Sequence, residues 1–249
     1  MESLLAQNIY DDPVFFAGYT TLPRSVRGPD GAPEWPAVRA QLPDLAGKRV
    51  LDLGCGFGWF ARWARAQGAA HVLGLDLSEN MIGRARLATH DAGIEYRIAD
   101  LERVEFPPSS VDLAYSSLAL HYIEDFERLV RSVYHALGPG GRFVFTIEHP
   151  IYMASSNPGW RTDQEGRKTW PVDAYALEGP RKTNWFADGV IKYHRRIGTT
   201  LNMLIGVGFE VRHVEEFAPT PDQIAAMRDL AEELERPMML IVTAQRQAR

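Results

Sequence analysis

The amino-acid sequence predicts an α/β protein whose sheet has seven mostly parallel strands, with one insertion after the fifth strand. Two observations support this prediction. Between Lys48 and Ile147, short apolar runs alternate with stretches of helical period, as in successive β-α-β units. The same rhythm returns after Gly198, beyond a segment rich in prolines, glycines and aromatic residues. Right-handed crossovers between parallel strands follow from this order.

Seven apolar segments are predicted to be strands, because each has the length of a strand and lies between turn-forming residues. They cover residues 49–53, 71–75, 94–98, 111–115, 142–147, 209–217 and 238–244. The first, Arg-Val-Leu-Asp-Leu, is read as a strand buried inside the sheet.

Five segments with helical period are predicted between and after these strands. They cover residues 57–67, 78–88, 124–137, 198–206 and 221–235. Ser78 is a predicted N-cap, and Gly68 is a predicted C-terminal stop. The run from Gly138 to Gly141, which reads Gly-Pro-Gly-Gly, is predicted to end the third helix.

Two segments depart from the rhythm and divide the chain into four parts. Residues 1–47 form an irregular lead-in or lid, since its prolines prevent a long helix. Residues 48–148 form the ligand-binding core. Residues 149–195 form an aromatic-rich insertion expected to cover the substrate, and residues 196–249 complete the sheet.

Composition excludes several classes of protein. The formal net charge of −5 argues against a nucleic-acid partner. One cysteine, Cys55, permits no intramolecular disulfide, and no segment has the composition of a signal peptide or a membrane span. We therefore expect a cytoplasmic protein, either a monomer or a homodimer. No His and Cys cluster has metal-ligand spacing, so no metal is expected.

The glycine-rich turn after the first predicted strand carries the strongest chemical signal. It spans Gly54 to Gly58 and reads Gly-Cys-Gly-Phe-Gly. Its glycines let the backbone approach a ligand closely, and the helix that follows presents free N–H donors. A dinucleotide site has G-x-G-x-x-G spacing, but here Trp59 stands where the third glycine belongs. Asp52, just before the turn, would repel a pyrophosphate and attract an ammonium or sulfonium group.

Two further acidic positions suggest a nucleoside. Asp76 ends the second predicted strand, where a carboxylate accepts hydrogen bonds from both ribose hydroxyls. Met81 lies one turn into the next helix and is suited to pack on an adenine face. Asp100 follows the third strand and can accept from an adenine amine, while the Leu101 N–H can donate to a ring nitrogen. An Asp that caps a short turn is an equally good interpretation of Asp100.

Together, these segments resemble the class I S-adenosylmethionine-dependent methyltransferases. Val50 to Gly58 (VLDLGCGFG) resembles their first motif, and residues 74–78 (GLDLS) and 99–101 (ADL) resemble their ribose and adenine stations. Residues 106–125 and 137–150 are similar to the regions around their fourth and fifth strands. More narrowly, the chain resembles bacterial small-molecule enzymes of the ubiquinone/menaquinone methyltransferase-like type.

The resemblance implies a Rossmann-like, doubly wound sheet with its last strand antiparallel, and S-adenosylmethionine as the cofactor. The cofactor contacts that it implies are Gly54, Gly56, Asp76, Leu77, Asp100, Leu101 and the backbone at Ser116 and Ser117. Asp52, Phe57 and Met81 are added because of their places around the glycine-rich turn and the ribose acid. Tyr19 is added as a lead-in aromatic that can cover the ligand.

Three histidines are candidate general bases for a hydroxyl, phenol or enol acceptor. His121 follows the fourth strand and His149 the fifth, so both belong at the ligand-binding edge of the sheet. His194 ends the insertion. Glu148 and Tyr122 are secondary candidates.

Several alternatives stay open for the reaction. The acceptor is expected to be an aromatic or acidic small molecule methylated on oxygen or nitrogen. The insertion aromatics fit either a substrate cage or the core of a lid. A non-catalytic S-adenosylmethionine-binding protein and a nicotinamide-dependent oxidoreductase are the competing hypotheses. Methylation of nucleic-acid bases is disfavoured because Ser-Ser-Leu-Ala stands at 116–119, where an Asn/Asp-Pro-Pro-Tyr tetrad would be expected.

Overall fold

The computed structural model describes residues 7–248, and its strands confirm the predicted α/β fold. In chain order the strands are β1 (Arg49–Leu53), β2 (His71–Asp76), β3 (Ile94–Ile98), β4 (Val111–Ser117), β5 (Leu137–Glu148), β6 (Arg161–Thr162), β7 (Lys168–Thr169), β8 (Gly179–Trp185), β9 (Ala187–His194), β10 (Phe209–Glu216) and β11 (Met239–Arg246).

The helices cover the sheet and fill the two irregular segments. They are α1 (Pro13–Tyr19), α2 (Pro23–Arg27), α3 (Trp35–Gln41), α4 (Trp59–Ala66), α5 (Glu79–Leu87), α6 (Phe126–Ala136), α7 (Pro150–Ala154), α8 (Ile197–Val207) and α9 (Pro221–Ala226). Short 3-10 turns lie at Ile9–Asp11, Gly28–Gly31, Leu120–Tyr122 and Arg228–Leu234. Within residues 7–248, none of the helices is long and apolar enough to cross a membrane.

The seven predicted strands form one sheet in the order β10-β11-β5-β4-β1-β2-β3. β11 is antiparallel to β5 and β10, and the other pairs are parallel. The chain runs outward from β1 to β3 and then returns to β4 on the other side of β1. Ligands bind beyond the carboxyl ends of strands at such a reversal, so this topology directs attention to the ends of β1 and β4.

The core lies on both faces of the sheet, because the central strands are apolar on both sides. Leu51 and Leu53 of β1 pack with Phe143 on the face covered by α6 and α8, whereas Val50 packs with Val72 on the opposite face. These side chains are almost fully buried. The apolar run at residues 49–53 is therefore a strand covered on both sides, as the sequence predicts.

The lead-in is more regular than the sequence suggests: the expectation of an irregular segment is wrong for residues 13–19, 23–31 and 35–41, although each helix there is short. Prolines there start helices: Pro13, Pro23 and Pro36 lie in the first turns of α1, α2 and α3. The missing N–H of proline costs nothing at that position. Asp12 adds an N-cap by accepting from Val14 and Phe15 N–H at 2.9 Å each.

Three other segments differ from prediction. Residues 149–195 are a short helix and two β-hairpins, β6–β7 and β8–β9. The helix predicted over 221–235 is wrong, because extended backbone at Met227 separates α9 from a 3-10 turn. β5 begins earlier than predicted, since the glycine-rich run 138–141 forms an irregularity in its pairing with β4 rather than a loop.

The insertion aromatics cage an arginine of the protein itself. The guanidinium carbon of Arg236 lies 4.4 Å from the ring centre of Trp170, 4.7 Å from Tyr152 and 5.4 Å from Trp160. Arg236 also donates to Glu233 at 2.9 Å, and both side chains are buried. These three rings therefore hold the insertion against the segment before β11.

Candidate functional site

A cavity of about 470 Å³ opens at the carboxyl ends of the central strands. Its walls come from the lead-in, the glycine-rich turn, the ends of β2, β4 and β5, and strand β9 of the insertion. A volume of this size suits a drug-sized ligand. β2 and β5 are three strand spacings apart in the sheet, so the cavity spans roughly 14 Å along its edge.

The glycine-rich turn forms the floor beside β1. Gly54 and Gly56 have φ values of +73° and +51°, a conformation that favours glycine. A Cβ on Gly54 would lie 2.3 Å from the Cβ of Ala119. A side chain at this position would therefore displace the segment that follows β4 and narrow the cavity.

Asp76, at the end of β2, is held against this turn. One carboxylate oxygen accepts from Gly56 N–H at 2.9 Å, and the other accepts from Ser78 N–H at 3.0 Å. Burial raises the pKa of Asp76 to about 6, although these hydrogen bonds oppose the shift. A carboxylate in the cavity wall suits a donor pair such as ribose hydroxyls.

Asp52 gives the cavity a buried acid with an unsatisfied oxygen. Its exposed fraction is 2%, and Oδ2 has no hydrogen-bond partner among residues 7–248. Burial raises the pKa of Asp52 to about 8, and the charge of Asp76 adds to the shift. An unpaired buried acid is costly unless it meets a cation or a donor. The site therefore fits the positively charged ammonium and sulfonium groups of S-adenosylmethionine.

The structure brings the residues predicted to contact adenine to one cavity. Leu77, Met81, Asp100 and Leu101 all line the cavity. Asp100 Oδ1 also accepts from Glu102 N–H at 2.9 Å, so the residue both caps a turn and faces the cavity. The two interpretations of Asp100 are compatible.

The end of β4 contributes one of the two predicted serines to the wall. Ser117 lines the cavity, whereas Ser116 is fully buried and donates from Oγ to Leu53 O at 2.7 Å. Alternate residues of a strand point to opposite faces. Leu118, also in the wall, has φ of +52°, which is strained for a leucine.

The lead-in closes the cavity above the glycine-rich turn. Tyr19 and Phe57 line the cavity, with their ring centres 5.9 Å apart. Arg24 and Glu34, which were not predicted from the sequence, also line it and form a partly buried ion pair at 2.8 Å. Nothing in the proline-rich pattern marks these two residues as neighbours.

A polar cluster lies at the β5 end of the cavity. It consists of Lys192 on β9, Glu148 at the end of β5, and His121 after β4. Lys192 Nζ donates to Glu148 Oε1 and lies 5.0 Å from the ring centre of Trp185. His121 Nε2 is 3.9 Å from Glu148 Oε1. Burial lowers the pKa of His121 to about 4, so this ring is neutral at pH 7.

Two of the three predicted histidines do not line this cavity. His149 caps α7, since its Nδ1 accepts from Ile151 N–H at 3.0 Å, and its Nε2 lies 2.7 Å from Glu216. His194 Nε2 bonds to Tyr175 O at 2.9 Å. Both rings are fully buried. Across residues 7–248, no group of three or more His, Cys, Asp or Glu residues could hold a metal ion.

Comparisons with known proteins agree with this geometry. Residues 51–145 match the family described as methyltransferase domain. A solved S-adenosylmethionine-dependent methyltransferase from Mesorhizobium loti is 63% identical, with a TM-score of 0.85, over 88% of this chain and all of that one. An uncharacterized protein of Haemophilus influenzae is 32% identical over 96% of this chain and 97% of its own.

A relative with a named substrate matches over a shorter stretch. The malonyl-[acyl-carrier protein] O-methyltransferase of Erwinia billingiae is 40% identical over 46% of this chain. The matched stretch spans 45% of that relative's length. The likeness to the Mesorhizobium loti enzyme, in contrast, extends over the whole of that enzyme, and the cavity described above fits its cofactor. The chain belongs to the class I S-adenosylmethionine-dependent methyltransferases.

Proposed function

We propose that the protein transfers a methyl group to an oxygen or nitrogen of a small-molecule acceptor that binds at the β5 end of the cavity. One observation carries the proposal. A single cavity is lined by the glycine-rich turn with Asp52 and Asp76, and also by Trp185 and Lys192 of the insertion. S-adenosylmethionine supplies the activated methyl group. The chain then has to place the acceptor in line and keep water out.

The proposed cofactor contacts follow the walls of the cavity. Asp76 accepts hydrogen bonds from the ribose hydroxyls, and Asp52 faces the ammonium and sulfonium groups of the cofactor. Gly54, Gly56 and Phe57 contact the cofactor from the side of the glycine-rich turn. Leu77, Met81, Asp100 and Leu101 enclose the adenine, Ser117 lies beside the reacting end, and Tyr19 covers the ligand from the lead-in. The Ser116 side chain ties β4 to β1 through its bond to Leu53 O and does not line the cavity.

A small acceptor is favoured by the dimensions and the closure of the site. The lead-in and hairpin β8–β9 meet above the cavity, since Gln7 Nε2 donates to Gly189 O at 3.0 Å and Gln7 Oε1 accepts from Ile191 N–H at 2.8 Å. We propose that these two segments act together as the substrate cover. The name of the Erwinia billingiae relative, an O-methyltransferase, supports an oxygen acceptor.

Of the three predicted histidines, His121 is the one that lines the cavity, and it lies beside Glu148 at the proposed acceptor end. His149 and His194 are engaged elsewhere, so we propose no catalytic role for them.

Calorimetric titration with S-adenosylmethionine, S-adenosylhomocysteine and NADH tests the proposal. We expect micromolar binding of the first two and none of NADH. Labelled S-adenosylmethionine with a metabolite extract should then give a labelled small product. Binding without any labelled product would favour a protein that only senses the cofactor, and NADH binding alone would refute the cofactor assignment.

A further inference from the structure

We infer that the acceptor is an acidic hydroxyl compound, a phenol or an enol, that Glu148 takes its proton, and that Lys192 holds the oxygen anion. The inference rests on the proposed function and adds the substrate class and a catalytic base that is not a histidine. It is carried by the buried cluster of Lys192, Glu148 and His121 and by the rings around it.

Lys192 is an unusual residue for its position. It is 3% exposed, on a hairpin outside the main sheet, and its ammonium faces Glu148 and the rings of Trp185 and Tyr122 at 5.0 and 5.9 Å. Glu148 is its hydrogen-bond partner within the described residues. An ammonium has three donors, so Lys192 keeps donors for a second anionic oxygen in the cavity.

Glu148 is the group placed to accept a proton. Its Oε1 takes the bond from Lys192 and its side chain lines the cavity, and that bond occupies one of the roughly four lone-pair sites of a carboxylate. The carboxylate therefore has free lone pairs beside the ammonium.

His121 is poorly placed to be the base. Its Nδ1 accepts from the backbone N–H of Glu148 at 3.4 Å, which puts its proton on Nε2, toward Glu148 Oε1 at 3.9 Å. The neutral ring thus has no free lone pair for a substrate proton. Its ring accepts from the backbone of Glu148 and lies beside the carboxylate, which makes it a positioning residue for Glu148.

Charge favours a hydroxyl over a protonated amine. An ammonium acceptor would lie beside the Lys192 ammonium in a site where little water screens the repulsion. A hydroxyl brings no charge, and its proton moves to Glu148 as its oxygen becomes an anion beside Lys192. The net charge of the cluster is unchanged by that transfer, so no uncompensated charge is created in the buried site.

The aromatic rings beside the cluster of Lys192, Glu148 and His121 suit a planar acceptor molecule. Tyr10, Tyr122 and Trp185 line the same part of the cavity, and the hydroxyl groups of the two tyrosines lie 3.2 Å apart. Aromatic walls of this kind favour planar ligands through stacked or edge contacts.

The group transfer balances with the residues present. The acceptor O–H bond breaks and its proton forms a bond to a Glu148 oxygen. The oxygen electron pair forms the new bond to the methyl carbon, and the carbon–sulfur bond breaks with its electron pair left on sulfur. Glu148 returns its proton to water after the product leaves.

Methyl transfer to two phenols of different acidity tests the role of Glu148. Phenol needs a base, whereas 4-nitrophenol ionises readily without one. With labelled S-adenosylmethionine, we expect Glu148→Gln to lower transfer to phenol by about 10²–10⁴-fold and transfer to 4-nitrophenol by less than tenfold. His121→Phe should show the same selectivity to a smaller degree. Equal losses on both phenols would refute the base assignment.

Binding in the presence of S-adenosylhomocysteine tests Lys192 without turnover. We expect Lys192→Met to weaken calorimetric binding of 4-nitrophenolate at least tenfold and to leave the neutral 4-nitroanisole unaffected. Lys182→Met is the matched control, since Lys182 is an exposed residue of the same hairpin. Equal affinity of Lys192→Met and the parent for 4-nitrophenolate would overturn the role of Lys192.

The proposed function and this inference fail in different ways. If the protein does not bind S-adenosylmethionine, the proposed function is refuted. If the protein binds the cofactor and methylates aniline but neither phenol nor 4-nitrophenol, only the inference is refuted. The inference is also refuted if the protein binds the cofactor but neither binds nor methylates any phenol.

Discussion

Asp76 and Gly56 are joined by a hydrogen bond of 2.9 Å from the Gly56 N–H to a carboxylate oxygen at the end of β2. The acid on the second strand and the glycine-rich turn after the first are therefore one rigid unit. The other carboxylate oxygen is tied to the start of α5 through Ser78 N–H. Changes at Asp76 should affect ligand binding through its lost acceptor and through the position of the turn.

Replacing Asp76 by Ala should weaken S-adenosylhomocysteine binding by about 1.5–3 kcal/mol, the usual value of hydrogen bonds to a charged acceptor. Calorimetric titration measures the effect. Asp76→Asn is the matched control, because an amide oxygen can still accept from Gly56 N–H, and it should lose less. Unchanged affinity in Asp76→Ala would show that the ribose lies elsewhere.

Cofactor affinity should also depend on pH through Asp76. Burial raises the pKa of this carboxyl to about 6, so it is largely protonated at pH 5 and ionised at pH 7. The ionised form accepts hydroxyl donors better, and affinity should therefore increase from pH 5 to 7. Titrations across this interval should show the increase in the parent and a weaker one in Asp76→Asn. A flat profile in the parent would contradict the assignment.

Asp52 should release a proton when the cofactor binds. The pKa of its buried carboxyl is raised to about 8, so it is mostly protonated at pH 7 in the free protein. A cation beside it favours the ionised form. Binding enthalpies measured at pH 7 in two buffers of different ionisation enthalpy should reveal release of up to about one proton. Asp52→Asn should abolish most of this release.

The same carboxyl should destabilise the ligand-free protein at higher pH. A carboxyl whose pKa is higher in the folded than in the unfolded chain contributes to the free energy of unfolding most fully below about pH 4. This contribution is lost as pH rises toward 8. Asp52→Asn should therefore raise the melting temperature of the ligand-free protein more at pH 8 than at pH 5. An equal change at the two pH values would contradict the raised pKa.

The cage around Arg236 should be important for stability rather than for cofactor binding. Arg236→Met removes the contacts with three rings and leaves Glu233 buried without its partner, which should cost about 3–5 kcal/mol. Chemical denaturation followed by circular dichroism measures the loss. Arg228→Met, a change at an exposed residue nearby, is the control and should cost less than about 0.5 kcal/mol.

The sheet could be predicted from the sequence because each strand carries a local signal. The five-residue runs at 49–53 and 94–98 have the predicted bounds. Ser78 is the predicted N-cap, and its Oγ accepts from Met81 N–H at 3.0 Å. The resemblance of the segments after β1, β2 and β3 to the methyltransferase motifs placed the residues at these strand ends in one site without the structure.

The acceptor end could not be predicted in this way. Lys192 is in phase with Val190 and His194 on the buried side of β9, but burial of a lysine becomes plausible only when Glu148 is seen beside it. His149 belongs to the expected edge of the sheet, yet it caps α7 and its side chain is turned from the cavity. These outcomes depend on contacts between distant segments, which periodicity does not report.

The bonds from Gln7 to Gly189 and Ile191 connect residues separated by more than 180 positions. Contacts between such distant residues form late in folding, because the intervening chain must first be ordered. Asp11 accepts from Ser78 Oγ at 2.5 Å, a contact between the lead-in and α5 that spans 67 positions and needs no residue of hairpin β8–β9. We expect the nascent chain to order the part of the site around Asp76 first and the part around Glu148 and Lys192 last. A chain stopped before β8 would lack the Glu148–Lys192 pair.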